Sequence, residues 1–295
     1  MRSTVGQFLE TEVSPWYSPW QWPMHAAASD YRKVLNSQDF ILLYEMLNDV
    51  RLLNERIDRS QNLTLCDVGC ATGDFYQYLQ MTYPQVEYYG TDISVPAIER
   101  AKIKYPAKRF MPVRPGMRQV EAFHAVSGCE NAHVIYSRDV VHHQVKPFEF
   151  LSELIEFSSE ALIIRCRTRD VGATEWNPEK SRQRHYGGWV PYIVINLQEL
   201  IDRFRLELPG WEMIVYRSYV ILGGRYQRAL PPECSFKRTG TAETAIGIFR
   251  TTHAPGRVTI KNRIDNRNTR WDRKFEILKR LSRSLFSKPA HDSVH

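Results

Sequence analysis

Short apolar runs alternate with amphipathic runs over roughly two hundred residues, and this alternation restricts the fold more than any other property of the chain. LTLCDVG, VEYYGTDIS, RFMPV, AHVIYSRDVV and ALIIRCRTRD read as strands, while DFYQYLQMTY, VPAIERAKIKY, PFEFLSELIEF and LQELIDRFRLEL carry apolar residues at helical spacing. Strands separated by helices predict an α/β fold, a mostly parallel sheet with helices on both faces. WEMIVYRSYVIL and AETAIGIFRTT have no helix between them and predict an antiparallel hairpin at one edge.

The pattern divides the chain into three parts. Residues 1–33 are rich in proline and aromatics, with Trp16, Tyr17, Trp20 and Trp22 on a segment expected to form an extended strap. Residues 34–250 form the expected α/β domain, with a leading helix over 34–57 and a polar, aromatic loop over 171–192. Residues 251–295 form a tail with 11 Lys and Arg against 4 Asp and Glu, so the rest of the chain holds 29 of each. The excess positive charge therefore belongs to the tail, and a nucleic-acid cradle is not expected in the body. Trp271, Phe275, Leu278, Leu281 and Leu285 give residues 268–288 one apolar stripe among basic residues. Such a helix suits an anionic membrane surface, a docking face on the domain or a second subunit, or weak contact with nucleic acid.

No apolar run is long enough to span a membrane, and the first residues lack the apolar core of a signal peptide. The five cysteines are scattered and odd in number, which fits free thiols better than a disulfide framework or a metal site. A cytoplasmic protein without a metal is expected, peripheral to the inner face of the membrane if the tail binds lipid.

The stretch LTLCDVGCATGDFYQYL places a glycine-bordered turn between the first strand and its helix. In open α/β sheets that turn faces the ligand crevice. Gly69 and Gly73 permit unusual backbone angles and close approach, with Cys70 and Ala71 between them. A pyrophosphate site would carry a third glycine where Ala71 stands. Asp67, closing the strand, suits a cationic donor, and Asp92, 25 residues on at the end of the second strand, suits the two hydroxyls of a ribose. Ile93 beside it could pack on a purine ring. A ligand with an ammonium, a ribose and no phosphates describes S-adenosylmethionine.

With these residues in order, the chain resembles the class I S-adenosylmethionine-dependent methyltransferases. DVGCATGDF looks like their first motif, TDIS like the second, and VIYSRDVVHHQ like the strand-end motif bordering the acceptor, so the resemblance spans about Leu63 to Arg169. It implies a Rossmann-like seven-stranded sheet whose last strand is antiparallel. It also implies that Asp67, Gly69 and Gly73 hold the methionine part and Asp92 the ribose. RFMPVRPG lacks the acid that the family often offers to adenine.

Asp139, His142 and His143 follow the fourth strand. A histidine there could take a proton from an oxygen acceptor, cap the next helix or contact the cofactor, and in-line positioning alone could also carry the transfer. In the loop, His185, Tyr186, Trp189 and Tyr192, with Arg182 and Arg184 nearby, suit a sugar or an anionic acceptor. GGWVPYIVINLQELI is also similar to a segment of methyltransferases from bacterial surface-polysaccharide gene neighbourhoods. The expected function is O-methylation of a small-molecule, sugar or lipid-linked glycan acceptor. RNA methylation through the basic tail and a non-catalytic scaffold are the rivals.

Overall fold

The computed structural model describes residues 37–45, 47–58, 60–185, 188–219 and 241–263. The aromatic strap, the helix expected over 268–288 and Tyr186 lie outside them. The first strand, β1 (Thr64–Val68), is buried along its whole length, as a strand covered on both faces must be. It pairs in parallel with β2 (Glu87–Asp92) on one side and β4 (Ala132–Arg138) on the other. The short β3 (Phe110–Pro112) lies beyond β2, and β5 (Ser158–Arg169) lies beyond β4. The chain thus runs outward from β1 to β3 and then crosses back to β4, which makes the carboxyl end of β1 the point where strand order reverses.

Helices α1 (Ser37–Glu45), α2 (Asn48–Arg56), α3 (Asp74–Thr82) and α4 (Val95–Lys104) supply the core on one face of the sheet. Helices α5 (Gln119–Ser127), α6 (Pro147–Glu156) and α7 (Leu197–Glu207) supply it on the other. Their starts follow local chemistry. The Ser94 hydroxyl accepts the Ala97 N–H at 3.3 Å ahead of a proline in the first turn of α4. The Asn196 side chain accepts the N–H groups of Gln198 and Glu199 at the start of α7.

Three expectations change. The leading helix is two helices, because the chain leaves helical geometry at Leu47 (φ −81°, ψ 139°) and restarts at Asn48. The restart carries Asp49 into the core, where the carboxylate is fully buried. Among the described residues the sheet has nine strands instead of seven, in the order β11 (Val258–Arg263), β9 (Trp211–Tyr219), β10 (Thr241–Arg250), β5, β4, β1, β2, β3, with the two-residue β8 (Ile195–Asn196) paired to β5. Strands β9 and β10 are antiparallel as expected, yet β10 sits between β5 and β9. The edge belongs to β11, parallel to β9 and drawn from the segment read as tail. Finally, residues 171–192 are not featureless: β6 (Arg182–His185) and β7 (Gly188–Pro191) pair as a separate antiparallel ribbon.

Candidate active site

The turn after β1 is laced to the end of β2. The N–H groups of Gly69 and Cys70 both donate to the Thr91 carbonyl, at 2.8 and 3.0 Å. Gly69 and Gly73 hold φ of +83° and +77°, where glycine is strongly favoured. Ala71 between them also holds a positive φ, 49°, and its N–H donates to Asp92 Oδ2 at 2.8 Å. The glycines serve packing as well as backbone freedom. A Cβ on Gly69 would fall 2.2 Å from Val140 Cγ2, and one on Gly73 would fall 2.7 Å from the Phe110 ring.

The two expected carboxylates stand on neighbouring strand ends. Asp67 is in register with Gly90, so Asp92, two residues on, shares its face of the sheet. Asp92 Oδ1 accepts the Ser94 N–H at 2.7 Å. Burial raises the Asp92 carboxyl above the usual carboxylate range, against the pull of the Ser94 and Ala71 N–H groups. Asp67 accepts the Tyr88 hydroxyl at 2.7 Å. Burial pushes Asp67 up to about 7, although the Tyr88 hydrogen bond and the Arg138 guanidinium both favour its charged form. A buried carboxyl with a raised pKa fits a cationic partner. This pair therefore suits the ammonium and ribose of S-adenosylmethionine, with Ile93 half-buried beside it.

Past β4 the backbone turns sharply. Asp139 has φ of +59°, and its N–H donates to the Arg165 carbonyl at 2.9 Å. The Asp139 carboxylate takes both Nε and Nη2 of Arg165. Although burial opposes it, this guanidinium holds the carboxyl far below its ordinary range. Asp139 is thus held as the ion-pair partner of Arg165, which suits it poorly to accept a proton. A 3-10 turn, Val141–His143, follows. Its two histidines are joined to the chain after β6. The Ile193 N–H donates to the His142 carbonyl at 2.7 Å, and His143 Nδ1 lies 2.8 Å from the Pro191 carbonyl oxygen. Burial, and then the neighbouring His143, hold His142 well below the ordinary imidazole range and keep it neutral.

Of the expected acceptor residues, Tyr192 meets this turn. It is buried, with ring centroids 5.0 Å from His142 and 5.8 Å from His143. Trp189 packs under the Arg182 guanidinium, 4.7 Å from ring centroid to carbon, within its own ribbon. His185 ends β6 opposite Gly188. Among the described residues, no group of three His, Cys, Asp or Glu could hold a metal ion.

Three neighbours of the site were not foreseen: Asp49, Tyr136 and Arg138. Tyr136 and Arg138 stand two apart on the largely buried β4, and Arg165 and Arg167 flank the buried Cys166 on β5. Polar side chains at alternate positions of a buried strand were the available signal. Asp49, one acid among many on a helix, gave none.

Residues 66–174 match a family model described as a methyltransferase domain. Comparison with curated proteins finds no match. Among solved structures, the O-methyltransferase of a trans-AT PKS multienzyme from Brevibacillus brevis, in complex with S-adenosyl-L-homocysteine, is 14% identical, with 90% of this chain and 89% of that chain covered and a TM-score of 0.48. The plantazolicin methyltransferase BpumL, bound to a desmethyl analogue and S-adenosylhomocysteine, is 14% identical over 76% of this chain and 89% of that one, with a TM-score of 0.43. Magnesium protoporphyrin IX methyltransferase from Synechocystis PCC 6803 is 13% identical over 72% and 81%, with a TM-score of 0.41.

Proposed function

We propose, from the match of residues 66–174 to a methyltransferase-domain model and from the turn that joins Asp67 to Asp92, that this chain is a class I S-adenosylmethionine-dependent methyltransferase and that it methylates an oxygen of a small-molecule, sugar or lipid-linked glycan acceptor. The cofactor supplies an electrophilic methyl on a sulfonium. Asp67 would hold its ammonium and Asp92 its ribose, with Gly69, Cys70, Ala71 and Gly73 forming the turn against it and Ile93 beside the purine. The Arg165-bound Asp139 orients the turn that carries the histidines.

One observation supports an oxygen acceptor above others: the contact between His143 Nδ1 and the Pro191 carbonyl oxygen. A carbonyl oxygen only accepts, so Nδ1 carries the proton and the lone pair of the neutral ring is on Nε2. An imidazole held in that tautomer is prepared to take the proton of a hydroxyl as the oxygen attacks the methyl. His142, buried and neutral, is a wall of the turn rather than the base. His185, Trp189 and Tyr192, on or beside the β6–β7 ribbon, would border the acceptor.

The test pairs a labelled-methyl assay on acceptor fractions (small molecules, glycans, lipids and RNA) with a His143→Gln variant. Turnover should fall by about 10²- to 10⁴-fold, the range for loss of a general base, and the acid limb of the pH–rate profile should vanish. S-adenosylmethionine affinity should stay within about threefold of wild type. Equal loss of turnover and cofactor affinity would assign His143 to the cofactor instead. Label appearing in RNA alone would favour an RNA acceptor.

A further inference from the structure

On the face of the sheet covered by α1–α4, β4 and β5 set Arg138 directly opposite Arg165. Like charges paired across strands repel, and these side chains are only 20% and 13% exposed. The acid that answers both comes from the first turn of α2. Asp49 is fully buried, accepts the Arg138 Nε–H at 2.7 Å and the Tyr136 hydroxyl, and has its other oxygen 4.0 Å from Arg165 Nη1. These two guanidiniums hold the buried Asp49 carboxyl below its ordinary range, against the cost of burial.

Each arginine faces a different half of the site. Arg165 grips Asp139 at the head of the histidine turn. Arg138 lies within the rings of Tyr44, Phe75 and Tyr136, at 5.1, 5.4 and 5.3 Å from their centroids. It also stands one step along the same face from Asp67, since Asp67 is in register with Tyr136. Without the Asp49 charge, Arg138 would have a buried carboxylate nearby on the adjacent strand, and that carboxylate is Asp67.

We infer that Asp49 is a positioning residue: by neutralising Arg138 and Arg165 together, it keeps Arg138 off Asp67, so that Asp67 remains available to the ammonium of the cofactor. This rests on the reading of Asp67 given above. It assigns a role in cofactor affinity to a residue of α2 that need not touch the cofactor.

The test is calorimetric titration of S-adenosylmethionine into the full-length wild-type chain and into Asp49→Asn, Arg138→Gln and the double variant. Asparagine keeps the shape and the hydrogen bonds to Tyr136 and Arg138 but removes the charge. Asp49→Asn should weaken binding tenfold or more, and the added Arg138→Gln should restore it to within threefold of wild type by removing the competitor. A purely structural role would not be rescued by a second substitution in the same buried network. If Asp49→Asn does not fold, Arg138→Gln alone decides. Affinity within threefold supports the inference, whereas a tenfold loss makes Arg138 a cofactor contact and overturns it. A double variant as weak as the single also overturns it. Failure of the wild-type chain to bind would overturn the reading of Asp67 itself, and this inference with it.

Discussion

Asp67 shows how much one side chain can cost when its partner is a ligand. Its folded pKa of about 7 stands well above the ordinary carboxyl value. Between pH 4 and pH 7 the folded chain therefore holds a proton that the unfolded chain has lost, and stability falls as pH rises across that window. Asp67→Asn keeps an acceptor for the Tyr88 hydroxyl and removes the buried charge. Thermal unfolding without ligand should show the variant more stable than wild type at pH 8, on the order of 4 kcal/mol, with the gain fading toward pH 5. The same variant should lose most of its S-adenosylmethionine affinity, while wild-type affinity should rise from pH 6 to pH 8. A variant less stable than wild type at pH 8 would mean that Asp67 is satisfied within the protein. Asp67, Asp92 and the two glycines were legible because a strand-end acid and a bare turn leave a local trace. What the sequence concealed was the reason for the glycines' tightness: Val140 and Phe110, from distant segments, fill the space beside them.

At the scale of elements, the β6–β7 ribbon does what a surface loop would do poorly. Ser181, fully buried, accepts the Tyr192 N–H at its carbonyl and donates its hydroxyl to the Tyr192 carbonyl, each at 2.8 Å. This clasp fixes the base of the ribbon next to Pro191, whose carbonyl sets the His143 tautomer. Ser181→Ala should cost about 1 kcal/mol of stability, as for one lost hydrogen bond. Turnover should drop further than cofactor affinity, measured as kcat against the dissociation constant for S-adenosylmethionine. Unchanged turnover would uncouple the ribbon from His143. The ribbon was hidden in the sequence because RQRH and GWVP do not alternate apolar with polar residues as a half-buried strand does. The leading helix, by contrast, was legible as helical but not as broken. Periodicity carries through Leu47, and only the burial of Asp49 against two arginines explains the restart.

For the whole molecule, strand-and-helix alternation predicted the parallel half of the sheet correctly because each unit there is local. It underspecified the other half, where strands distant in sequence interleave. β11 covers the outer side of β9, with Val258 opposite Met213 and Ile260 opposite Val215. Removal of residues 264–295 should leave the melting temperature within a few degrees of wild type and test whether that segment holds the protein on anionic vesicles. Removal of residues 251–295 should lower the melting temperature markedly, because β9 would then be an open edge. Equal melting temperatures for the two truncations would show that β11 contributes little. The position of β10 also bears on synthesis. α2 is made early, yet its Arg56 pairs with Glu212 and covers the Phe249 ring, and its Glu55 accepts the Tyr216 hydroxyl. In a chain emerging from the ribosome, Glu55 and Arg56 therefore wait for these partners until residues near 250 have left the exit tunnel. The last strands to be made thus complete the surroundings of one of the first helices.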